Sequence, residues 1–137
     1  MESVPYDKRS GKIWFNGSPV DWNKANIHIL NHGLHYASCV FEGERVYDGE
    51  IFKLEEHTDR LFYSAKRMGM SVPYTQKEIN EACINIVNIQ NVKNGYVRPI
   101  IWRGSEMMAI SAQKNKIHTA VATWEWGSYF DPKLKLK

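Results

Sequence analysis

The apolar positions of this chain change period several times, and each change marks an element. Lys12-Ile13-Trp14-Phe15 reads as a short strand. Asn16-Gly17 follows, a pair suited to a two-residue hairpin because both positions tolerate positive φ. Ser18 to Val20 is then the returning strand. Pro19, with no N–H to give a ladder, puts it at a sheet edge. Ile27-His28-Ile29-Leu30 is short and largely apolar and is expected to be another strand. Cys39 to Tyr47 is rich in β-formers, Asp48-Gly49 offers a second hairpin turn, and Ile51-Phe52-Lys53-Leu54 completes that hairpin.

From Glu55 the period becomes helical. His57, Leu61, Ala65 and Met68 share a face, with Phe62 beside them, and Gly69 is the stop. Thr75-Gln76-Lys77-Glu78 matches a capping box, in which each end residue satisfies the other's free backbone N–H. Ile79, Ala82, Cys83, Ile86 and Val87 continue at helical spacing to Asn94-Gly95. Tyr96 to Trp102 returns to strand character, with Pro99 implying an edge or a bulge. Arg103 to Asn115 is a long polar loop. Thr119 to Trp126 alternates, with Ala120, Ala122, Trp124 and Trp126 on one face. Hairpins, then helices, then strands predict an α+β fold: two layers, a largely antiparallel sheet carrying two helices.

The length of 137 residues suits one domain, and 43% hydrophobic with 24% charged residues is globular composition. No apolar run approaches the roughly 18 residues of a membrane span. Met1-Glu2-Ser3-Val4-Pro5 lacks a signal-peptide stretch, so a cytoplasmic location is expected. The net charge of +3 is small and its basic residues are dispersed, so nucleic-acid binding is not expected. Cys39 and Cys83 are too few for a disulfide scaffold and read as reduced structural thiols.

The candidate chemistry is sparse. There is no Gly-rich phosphate loop, HExxH or GxSxG. His32 and His35 flank Gly33-Leu34, but no carboxylate or Cys completes a ligand set, and no metal is expected. The segment from His32 to Gly43 mixes polar, aromatic and glycine residues without a period, unlike a purely structural strand. Arg60 follows His57 by about one helical turn, near a helix start that is already positive. It reads either as a surface partner of Glu56 at i,i+4 or as an anion site, since a guanidinium fork matches phosphate or carboxylate. Tyr96 and Arg98 share a strand face, which suits a carboxylate ligand or a plain solvent-facing edge.

Together these pieces resemble the branched-chain amino-acid aminotransferases, pyridoxal-phosphate (PLP) enzymes of fold type IV. The matching segments are Ile13 to Gly17, His32 to Gly43, Glu56 to Leu61, Tyr96 to Ile100 and Trp126 to Tyr129. Each is weak alone, and the ordered set is specific. The resemblance implies that Arg60 contacts the PLP phosphate, Tyr96 the substrate carboxylate, and Arg98 the distal carboxylate of glutamate. It implies that Phe41, Trp126 and Tyr129 wall the pocket for Leu, Ile and Val side chains, that Gly43 is a substrate-binding residue, and that Tyr36 reaches a neighbouring subunit's pocket. Three departures stand out: Ala37 in place of a usual glycine, Glu125 in place of a usual proline, and the loop from Met107 to Ser111.

In that family the PLP-binding lysine lies in a C-terminal domain, and no lysine here has its context. The expected organisation is an N-terminal extension over residues 1–11 and the small N-terminal domain over 12–137, with the PLP-lysine domain absent. Two functions are then expected as alternatives. The chain is the N-terminal part of an aminotransferase moving amino groups from Leu, Ile or Val to 2-oxoglutarate, inactive and without PLP on its own. Alternatively, it is a binding or oligomerisation module without catalysis. Either way a homo-oligomer is expected.

Overall fold

A computed structural model describes residues 4–126. Tyr129, expected in the pocket wall, lies outside the described residues. The α+β expectation holds. Seven strands form one sheet in the order β2-β1-β7-β6-β4-β5, with β3 also paired to β6. The strands are β1 (Lys12–Phe15), β2 (Ser18–Asp21), β3 (Cys39–Phe41), β4 (Glu44–Tyr47), β5 (Glu50–Ile51), β6 (Gly95–Arg103) and β7 (Ile117–Glu125). Every pairing is antiparallel.

Both hairpin turns form as the residue pairs dictate. Asn16 and Gly17 take φ of 49° and 108°, and Asp48 and Gly49 take 51° and 81°. β2 sits at the edge that Pro19 required. Two long helices, α2 (Leu54–Arg67) and α3 (Gln76–Ile89), cover one sheet face. The Thr75/Glu78 capping box is complete in both directions. Leu61, Ala65, Ile79, Ile86, Val46, Val97, Ile101 and Val121 meet in the core between helices and sheet.

Four local expectations are corrected. The strand expected over Ile51 to Leu54 stops at Ile51, because Lys53 turns into the left-handed region at φ 58° and α2 starts at Leu54. Ile27 to Leu30 is not a strand: no neighbouring strand reaches it, and its polar groups turn inward, with Asn31 N donating to His28 O and Leu30 N to His28 Nδ1. His32–Tyr36 is instead a short helix, α1, whose N-cap Asn31 accepts from Leu34 N. Gly33, a poor helix former, is needed there because a Cβ would press on Trp102 Cβ and Ser38 O at 3.3 Å. Finally, Cys39 to Tyr47 is two strands, not one, with Glu42-Gly43 between them.

That break explains Pro99, which lies in the sheet interior rather than at an edge. Pro99 O accepts from Glu42 N at 3.1 Å, so the missing N–H faces the gap between β3 and β4, as at a bulge. No ladder bond is lost.

Candidate active site

The break places two consecutive side chains under two arginines. Phe41, the last residue of β3, lies beneath Arg98, whose Cζ is 4.0 Å from the ring centroid. Glu42, the next residue, holds Arg60 of α2: Oε2 accepts from Nε and Oε1 from Nη2, both at 2.8 Å.

Around Arg98 the expected cluster assembles. Arg98 Nη2 donates to Tyr96 Oη at 2.7 Å, as side chains two apart on a strand allow. The Tyr96 ring packs edge-on against Trp126 at 5.0 Å. Arg45 Nη2 donates to Trp126 O at 3.0 Å, tying that residue to β4. Gly43 belongs to the same cluster, because a Cβ there would collide with Tyr96 Oη. Among the described residues, Arg98 Nε is buried with no hydrogen-bond partner. A guanidinium on an aromatic face, beside a phenol, suits a carboxylate next to an apolar group.

Arg60 does not pair with Glu56. Glu56 meets Lys53 instead, at 3.4 Å. The partner Glu42 lies 18 residues back, on a strand rim that α2 crosses, which helical spacing cannot reveal. His57, one turn before Arg60, donates from Nδ1 to Glu42 Oε1 at 2.7 Å. Burial pushes the Glu42 carboxyl up, but hydrogen bonds from Arg60 and His57 outweigh it and hold its pKa below the usual value. With Nε and one Nη2 hydrogen used, Nη1 remains for an anion. The donor set therefore fits a phosphate monoester such as that of PLP.

Glu44 was not singled out in the sequence. It is wholly buried, and neither carboxylate oxygen has a hydrogen-bond partner among the described residues. Burial, with the charge of Glu42 adding to it, pushes its pKa up to about 8.

Tyr36 is held apart from this cluster. Its hydroxyl donates to Met108 O at 2.9 Å and its ring packs on His32. His32 is buried: Nε2–H donates to Ala109 O and Nδ1 accepts from Ser38 Oγ. α1 thus pins the loop after β6 by two successive carbonyls. Phe41, Tyr36 and Trp126 are 54%, 44% and 36% exposed, so none is spent on the core.

Glu125, standing where proline was expected, has a local use. Its carboxylate accepts from Lys93 N and Asn94 N, closing the loop before β6.

The model of the family "Amino-transferase class IV" matches residues 39–137. The branched-chain-amino-acid aminotransferase of Pseudomonas aeruginosa is 46% identical over 88% of this chain, and that of Escherichia coli K12 35% over 89%. The chain spans 41% of the length of each. Among solved structures, the branched-chain aminotransferase of Thermoproteus uzoniensis with norvaline superposes at TM-score 0.83. It has 31% identity and is matched over 88% of this chain and 42% of that one. The Escherichia coli structure superposes at 0.84 with 34% identity, over 91% of this chain and 43% of that one.

Proposed function

The chain belongs to the class IV aminotransferases, and from that premise we propose that it is the N-terminal part of a PLP-dependent branched-chain aminotransferase. Its amino donors and acceptors are Leu, Ile and Val with 2-oxoglutarate, giving branched 2-oxo acids and glutamate. The observation carrying this reading is the pair of arginines supported by consecutive residues, Arg60 on Glu42 and Arg98 on Phe41.

In this reading Arg60 holds the cofactor phosphate through its Nη1 edge. When bound, PLP supplies the carbonyl carbon and the electron sink for amino transfer. Tyr96 receives the substrate α-carboxylate. Phe41, Gly43, Trp126 and Tyr129 form the apolar wall for a branched alkyl group. Arg98, stacked on Phe41, ion-pairs the distal carboxylate of glutamate at that same wall. One pocket then accepts both an alkyl and a carboxylate side chain. Residues 12–137 are the small domain and 1–11 an extension. The catalytic lysine is supplied by a C-terminal domain, and Tyr36 serves a second subunit of a cytoplasmic homo-oligomer. Exposure of Phe41, Tyr36 and Trp126 supports this, because a pocket wall lacking its other half faces water.

Leucine and 2-oxoglutarate supplied with PLP test the proposal. The 137-residue chain alone is expected to give no glutamate and no lysine-bound PLP absorbance. Joined to a C-terminal class IV domain, it gives both. Steady turnover by the 137-residue chain alone would overturn it.

A further inference from the structure

Glu42 is 5% exposed, yet both its oxygens are engaged. Arg60, which it holds, is 66% exposed. An exposed arginine ordinarily samples many rotamers and gives up that freedom only on binding. Here a buried fork has already removed it. His57 anchors the fork to α2 one turn before Arg60, so strand rim and helix fix the guanidinium together. Nη1, with one hydrogen of Nη2, is left as the outward donor set.

Two effects of Glu42 oppose each other. Its negative charge offsets part of the pull of Arg60 on an anion. Its geometry orders the guanidinium before the anion arrives. We infer that Glu42, backed by His57, is a positioning residue, and that order outweighs lost charge in presenting Arg60 to a phosphate ester. The inference rests on the reading of Arg60 as the phosphate contact.

The sign of one substitution tests it. The Nε–Hε resonance of Arg60 is followed by nitrogen-15 NMR in the 137-residue chain, during titration with inorganic phosphate at constant ionic strength. Binding at one arginine in the millimolar range does not require that PLP be retained. In Glu42→Gln the Hε proton is expected to exchange with water about tenfold faster, and phosphate affinity to fall roughly three- to tenfold, the scale for immobilising one long side chain. This fall comes although the neighbourhood has become more positive. Unchanged backbone amide shifts show that the fold is intact. His57→Gln keeps the carboxylate charge and should move both readouts the same way by less; it carries the test if Glu42→Gln does not fold.

Tighter or unchanged phosphate binding in Glu42→Gln would overturn the positioning role, leaving Glu42 as a charge offset. Arg60→Met separates the two levels. If α2 amides respond to phosphate as strongly without Arg60, the phosphate reading itself fails, and the positioning role with it. If they fall silent in Arg60→Met but respond fully in Glu42→Gln, the reading stands and only the positioning role is lost.

Discussion

Two single residues show how closely backbone and site are matched. Ala37 caps α1 in the left-handed region at φ 58°, where a Cβ crowds the backbone. The family resemblance implies glycine at this position. Ala37→Gly should therefore raise stability by about 1 kcal/mol, measured by urea unfolding. Gly43 is constrained by space, since its missing Cβ is where Tyr96 Oη sits. Gly43→Ala should displace Tyr96, break its bond to Arg98 and cost about 1–3 kcal/mol. Adding Tyr96→Phe should recover part of that loss in the same assay. No recovery would mean that the methyl clashes elsewhere.

At the level of elements, the buried Glu44 on β4 gives the fold a pH dependence. Its folded pKa of about 8 lies above the ordinary value of 4.5. The neutral form is favoured on folding, so its stabilising effect is full below pH 4.5 and is lost as pH rises through about 8. At about 1.4 kcal/mol per unit this amounts to a few kcal/mol. Glu42 acts in the opposite direction, since its lowered pKa gives stability that is lost as pH falls through the folded value. Urea unfolding at about pH 5 and about pH 8 should show wild type losing stability relative to Glu44→Gln across that range. Parallel curves would show that the carboxyl is solvated in solution.

The elements that were legible in the sequence are those set by neighbours in the chain. Asn16-Gly17, Asp48-Gly49, the Thr75/Glu78 box and the spacing from Ile79 to Val87 each carry their own geometry. Tyr96 and Arg98 were legible as a pair because strand period is local. What was not legible depends on distant partners. Ile27 to Leu30 has the composition of a strand but nothing to pair with. Gly33 hides a helix that exists because β6 packs closely against it. The partner of Arg60 lies in the break between β3 and β4, 18 residues back in the chain.

Among the described residues, the two long helices lie on one side of the sheet. α2 and α3 bury one sheet face. On the other, Ile13, Phe15, Leu34, Ile100 and Trp102 line an apolar groove of about 500 Å³. This groove should bind a hydrophobic dye in water and lose that signal when a C-terminal class IV domain is joined to the chain. Equal dye binding by both forms would count against the proposed two-domain assembly.

The break between β3 and β4 has a consequence for insertions and deletions. β3 and β4 are registered on β6 independently, Phe41 against Ile100 and Glu44 against Val97. One residue added between Phe41 and Glu42 would leave both strands paired while separating the supports of the two arginines. No side chain would have been altered, yet the site would be lost. The spacing at the break therefore tolerates length changes less than its neighbouring turns do, and homologous chains that bind the same ligands should conserve the adjacency of these two positions more strictly than the identity of either.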